Sequence, residues 1–321
     1  VSVFPSRLVQ VGLVKERGFG AGGAPAMQVP VTAAAPNDLP TVLRDNSWRK
    51  APVDGYGHVI SGLQSQLRLG GPVLCDSIGF LLSGVLGDVA FTAGAPNSWT
   101  FALKNNGDQQ PASFAATVAD PVAQLGFAGC KVGQVILSFD PDKLLTWEAM
   151  LFGLASSATG YAMPAASAEH PLPGWRGVAT LGGTVTAEVL TGQVQLARPV
   201  VAKQNVNGSL SPWLQRSDVL SVVGQMTMIA SSDALRQQWQ AGTETSLDLL
   251  FSNGASGAAA RSLRLHCSNV VLNGADRSYG QRWVELAASF IAEPNTADVG
   301  GSGGYSPIKA TLQNAVASGT Y

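Results

Sequence analysis

The sequence predicts a mainly β protein made of two tandem β-barrel or sandwich domains, each with one flanking α-helix. Three observations lead there. Apolar and polar residues alternate with period two in several separate segments, turn-forming residues punctuate them, and the order of elements in the first half returns in the second. A chain of 321 residues has room for two such domains.

Residues 1–44 contain the run Gly18-Phe19-Gly20-Ala21-Gly22-Gly23 together with Pro25, Pro30, Pro36 and Pro40. So many breakers predict an N-terminal arm without lasting regular structure. The first domain is expected over 45–153. In it, Asp76 or Ser77 caps a helix whose Ile78, Leu81, Leu82, Val85 and Leu86 form one apolar stripe, and Gly87 stops it. Residues 135–139 and 144–152 read as strands joined by the turn Asp140-Pro141-Asp142. Residues 154–174, rich in Ala, Ser and Pro, read as a linker.

The second domain is expected over 175–293. Val185, Ala187 and Val189 alternate with Thr184, Thr186 and Glu188, the pattern of a half-buried strand. Ser232-Asp233 starts a second helix with Leu235 and Trp239 four apart, and Gly242 ends it. Residues 262–272 and 283–291 form a long strand pair around Asn273-Gly274, a strong turn signal. Residues 294–321 form a tail opened by the glycine-rich stretch 298–304.

The two halves resemble each other. Each opens on a Trp-Arg pair (Trp48-Arg49, Trp175-Arg176), then has a strand with a glycine (Gly62, Gly224), a helix and two long closing strands. The closing pairs start at Cys130 and His266 and continue to Trp147 and Trp283. Aligning Gly62 with Gly224 sets Leu63 opposite Gln225, one residue out of phase, so either a β-bulge shifts the register or the glycine match is accidental.

Composition narrows the function. Charged residues make up 13% of the chain against about 25% in globular proteins, while 45% are hydrophobic. So little charge suits a surface hidden against copies of itself better than a solitary monomer. A net charge of −1 lacks the basic excess of a dedicated nucleic-acid binder. Residues 1–18 have no apolar core or cleavage site of an export signal, and residues 78–86 fall short of the roughly 18 a membrane span needs. Cys75, Cys130 and Cys267, odd in number and far apart, read as reduced thiols. His58, His170 and His266 have no second ligand at metal spacing, and no nucleophile elbow or phosphate loop occurs. Asp140 and Asp142 are explained by their turn. No catalytic residue, cofactor or metal ligand emerges.

A set of ordered motifs then resembles a known family. Residues 78–87 (IGFLLSGVLG), 129–138 (GCKVGQVILS), 192–199 (GQVQLARP) and 303–315 (GGYSPIKATLQNA) are similar to segments of the tail tube, or major tail, proteins of long-tailed, non-contractile bacteriophages. The likeness spans about 43–315. It implies a virion protein without catalytic residues, made in the host cytoplasm and found in the tail, whose sheets join neighbouring copies into rings. Single-domain members form hexamers, so a two-domain chain would need three copies. Stacked rings would form the conduit for genome ejection, with a tape measure protein and tail-tip or terminator proteins as partners. Double-stranded DNA would pass without specific binding. The glycine- and proline-rich ends would be arms reaching between subunits.

A DNA conduit favours a bore without Lys or Arg, because each phosphate neutralised adds binding energy through counterion release. The lumen-facing candidates are Gln64, Gln66, Gln193, Gln195, Gln225 and Thr227, polar and uncharged on alternating strands. Ordinary solvent-facing strand positions would look the same. Two other readings stand: the tube of a contractile injection system, and a glycan-binding β-sandwich of the virion using Trp99, Trp213 or Tyr305.

Overall fold

The structure, a computed structural model, describes residues 4–279 and 282–321. The fold is mainly β. The first half contains β1 (Gln10–Lys15), β2 (Met27–Val29), β3 (Ala33–Asp45), β4 (Gly57–Pro72), helix α1 (Ile78–Leu86), β5 (Gly87–Thr92), β6 (Asn97–Leu103), β7 (Phe114–Ala119), β8 (Gln124–Phe139) and β9 (Thr146–Leu154). After the short β10 (Ser157–Ala158) come β11 (Val178–Leu181), β12 (Thr184–Thr186), β13 (Val189–Ala197), β14 (Val200–Lys203), β15 (Leu214–Ser217) and β16 (Ser221–Ile229). Helix α2 (Ala234–Ala241), β17 (Thr245–Ser252), β18 (Ser262–Ser278), β19 (Glu285–Ala292) and β20 (Lys309–Asn314) complete the order.

One antiparallel sheet runs through both halves in the order β3-β4-β9-β8-β13-β16-β19-β18. Opposite it lie β1, β2 and β7 in the first half and β11, β12 and β17 in the second. The pairing order β2-β1-β7-β8-β9-β4-β3 recurs as β12-β11-β17-β18-β19-β16-β13. Even the irregularities recur. The β7–β8 ladder shifts between Phe114 and Ala116, and the β17–β18 ladder between Thr245 and Leu247. The β8–β9 ladder shifts between Val132 and Gln134, and the β18–β19 ladder between Leu272 and Gly274. These shifts align β8 with β18 at an offset that puts Gly133 opposite Asn273. Cys130 then falls opposite Val270 rather than His266.

The core fills the space behind this sheet. Helix α1 departs from the expected single stripe, since all nine of its residues are buried. Two glycines let it sink that far. A Cβ on Gly79 would strike the Tyr321 ring, and one on Gly84 would strike Val132 and Phe114. Gly87 ends the helix in the left-handed conformation, at φ +88°. By contrast, α2 has no buried residue. Its Asp233 carboxylate binds Arg236 and Arg277 instead of capping backbone.

Several expectations change. Asn273-Gly274 is no turn: β18 runs straight through it, and the pair sits at the bulge against β19. The alternation over 184–189 is split, because β12 ends at Thr186 and β13 begins at Val189. The two Trp-Arg pairs are not equivalent. Trp48 lies at the exposed end of the β3–β4 hairpin, while Trp175-Arg176 lies in a short 3₁₀ turn with the guanidinium stacked on the indole at 4.4 Å.

The ends are not free arms over the described residues. β1 pairs with β7, burying Val11 and Leu13, and β3 pairs with β4 along its whole length. The glycine run 18–23 wraps the buried Glu16 carboxylate, which accepts N–H bonds from Gly20, Gly22 and Gly129. At the other end, β20 bridges β18 and β6. Asp298 pins the segment before it by accepting from Ser268 N, with His266 Nδ1 2.8 Å away. Tyr321, 2% exposed, packs edge-on against Phe80 and Trp99. What projects instead is the β3–β4 hairpin, with Leu43 59%, Val59 70% and Trp48 100% exposed.

Candidate assembly surfaces

Alternation along the continuous sheet sorts its residues onto two faces. Leu67, Leu69, Trp147, Leu137, Val194, Leu196, Met226 and Phe290 point into the core. All six candidates, Gln64, Gln66, Gln193, Gln195, Gln225 and Thr227, point the other way. Gln193 pairs directly with Gln225, and the same row continues through Ser138 on one side and Ser289 on the other. Gln195 pairs with Ile136 and Val223, and Thr227 with Thr191 and Ala287. Gln64 and Gln66 lie two strands from that group, across β9 and β8, with Gln66 Nε2 on Met150 Sδ at 2.9 Å.

The sequence reading missed Ser138, Glu148 and Ser289 on this face, although period two within each strand already placed them in phase. The charged residues in phase are Arg68, Lys131, Glu148, Asp276 and Glu285. Lys131 is turned under where β8 bends toward β7, with Nζ donating to Pro111 O. Among the described residues no three His, Cys, Asp or Glu side chains converge as metal ligands would.

The joint between the halves is a strand ladder. Gln134–Phe139 of β8 pairs with Gly192–Ala197 of β13, and Arg198 N–H extends it to Gly133 O at 2.8 Å. Beyond the ladder, the Arg198 guanidinium donates to Val85 O at the end of α1, to Gln109 O and to Asp218 O. Gln110 and Ser217 exchange two bonds, and Gln215 Nε2 donates to Gly153 O. The segment 198–220 therefore clasps the first half, whereas its counterpart, the outer β3–β4 hairpin, is held at its base, where Leu63 N–H donates to Leu210 O at 2.7 Å, and is exposed toward its tip.

Two edges of the same sheet have no strand partner among the described residues. One is β3, paired only with β4, and the other is β18 from Asn273 to Ser278, paired only with β19. They are the counterparts of the two strands joined at the internal ladder. Pairing of β3 with β4 continues unbroken past Pro36 and Pro40. A proline lacks an N–H, so both nitrogens face the open edge. Two of the four prolines that predicted a structureless arm, Pro36 and Pro40, are thus edge residues of a long strand.

Burial at the joint depresses the Lys131 ammonium to a pKa of about 8, because the charged form loses water. Its unfolded counterpart titrates near 10.5. The folded state therefore carries the full penalty below pH 8, and stability from this group rises as pH climbs from 8 to 10.5. Buried Cys130, raised to about 12, and the raised Cys75, Cys267 and Tyr321 act oppositely above pH 9 and mask it in absolute stability. The difference between native protein and Lys131→Met isolates the effect. Relative to the variant, the native protein should gain on the order of 2 kcal/mol over that window in urea denaturation. A flat difference would contradict the assignment.

Comparison with known proteins adds one finding. No curated protein matches the chain. A family model described as phage tail tube protein matches residues 6–312, nearly the whole length, and includes both halves, the internal ladder and both open edges. The chain belongs to the phage tail tube protein family.

Proposed function

We propose that the chain is a duplicated tube protein, three copies of which close into a ring. The proposed domains span 45–153 and 175–293 with the linker 154–174 between them, and the arm 1–44 and tail 294–321 fold back onto them through β1 to β3 and β20. The recurring strand order and the matching ladder shifts support the duplication. The internal β8–β13 ladder carries the reading of the ring. Rotating it by one repeat brings β18 of one protomer against β3 of the next, so each open edge finds the partner its counterpart already has. A heterologous contact of this kind closes into a ring and leaves no free edge.

In such a ring the face holding Gln64, Gln66, Gln193, Gln195, Gln225 and Thr227 lines the bore. Among its described residues the face carries one exposed cation, Arg68, against the carboxylates of Glu148, Asp276 and Glu285, and its amides and hydroxyls are neutral. It therefore offers phosphates little to bind, as passage of the genome requires. Rings stack into the tail tube through the exposed β3–β4 hairpin, whose Trp48 is the apolar anchor. The fold reads equally as the tube of a contractile system, and the ring geometry is common to both.

The internal register makes the ring testable. Ile136 faces Gln195, and the repeat offsets carry that pair to Asp276 of one protomer and Asn37 of the next. The template is a closely spaced pair of the kind a disulfide can span. Protein carrying both Asn37→Cys and Asp276→Cys should give, on mild oxidation of assembled material, a covalent ladder that stops at three chains. A ladder continuing past three, or no cross-linking in assembled tubes, would contradict the ring. The native cysteines are buried and do not compete.

Trp48→Ala separates ring closure from stacking. Electron microscopy should show single rings and short stacks in place of long tubes, since loss of an interface tryptophan costs about 2 kcal/mol or more per contact. Tubes of native length would remove the hairpin from the contact between rings.

A further inference from the structure

The two seams of the proposed ring are not equally strong. Within the chain, β13 turns Gly192, Val194, Leu196 and Arg198 toward β8, and each has a backbone N–H to give. Arg198 N–H is seen giving it, to Gly133 O at 2.8 Å. The repeat offset maps these four positions onto Ala34, Pro36, Asp38 and Pro40 of β3. Pro36 stands where Val194 stands and Pro40 where Arg198 stands, so every second donor of that edge is missing. The acceptor edge is intact, because Asn273, Ala275 and Arg277 of β18 keep their carbonyls. The seam between protomers therefore has half the donors on this strand that the covalent seam has.

We propose that Pro36 and Pro40 hold the protomer-to-protomer seam below the strength at which free chains assemble, so that the protein stays unassembled until an existing ring supplies the stacking contacts as well. This rests on the ring reading above. The occupant of the β3 edge is the β18 edge of a second copy, because the chain already joins the counterparts of these strands in one continuous sheet. An edge strand with all its donors would pair with any exposed strand in a crowded cell, and prolines on the exposed side are a direct guard. They cost nothing inside the protomer, since both nitrogens face away from β4 and both rings are exposed.

The test measures the protein concentration at half assembly by sedimentation velocity of the purified full chain. Pro36→Val and Pro40→Thr each restore a donor, and each should lower that concentration roughly fivefold, with about 25-fold for the double variant. Ala34→Pro removes a remaining donor and should raise it by a similar factor. Thermal melting of the unassembled chains checks that each variant folds. If the restored variants assemble at the native concentration, or if neither they nor the native chain assembles, the proline role is overturned. A shift of the same sign in all three variants would overturn it too. Cross-linking between residues 37 and 276 reads the seam itself. A covalent trimer with an unshifted assembly concentration would leave the ring standing and remove the prolines from its control.

Discussion

A strand in a sheet has two edges, and the backbone donors and acceptors on each must be paired, covered or left in water. In this chain that requirement organises the rest. β8 meets it on both sides, with β9 on one and β13 on the other. The sheet therefore crosses from one half to the other without a break, and the halves share a core rather than meeting as separate bodies. β20 repeats the device behind the sheet, tying β18 of the second half to β6 of the first. The requirement is left unmet at the two ends of the sheet, β3 and β18, and those ends are the surfaces on which the proposed assembly depends.

Composition follows from the same constraint. Alternation puts one side chain of every two into the core, and the other onto a face that carries few charges for its size. The polar work is done by amides and hydroxyls, with ionic groups held to a few positions. Where a cation is buried, the backbone satisfies it: Arg198 binds three carbonyls and Lys131 one. Such contacts fix the angle of the joint, since the Arg198 guanidinium spans the end of α1, the 104–111 loop and its own strand. An uncharged replacement would leave those carbonyls unpaired in a buried place.

Much of this was legible in the sequence. Strand periodicity identified β8, β9, β18 and β19 as elements, and glycine stops located both helix ends. All six glutamine and threonine candidates fell on one sheet face, because parity within a strand survives errors in its boundaries. Long-range pairing decided what was missed. Nothing local distinguishes Asn273-Gly274 in a hairpin turn from the same dipeptide in a bulge; the partner strand decides. Proline spacing in 33–45 looked like disorder because the sequence does not say which edge of a strand is free. The burial of Tyr321 against Gly79 joins the last residue to a helix in the first half of the chain and left no local trace. The alignment of Gly62 with Gly224 failed for a related reason, since Gly62 lies beside the bulge in the β3–β4 ladder, where the repeat registers part.

The central claim is that the open edges of β3 and β18 are one interface, read in the register of the internal ladder. Amide hydrogen exchange compared between free chains and assembled tubes tests it residue by residue. The account predicts that assembly protects Ala34 and Asp38 on β3 and Asn273, Ala275 and Arg277 on β18, while the amides of Gly192 to Arg198 are already protected in the free chain. Protection on assembly that spares both edges and appears elsewhere on the surface would contradict it.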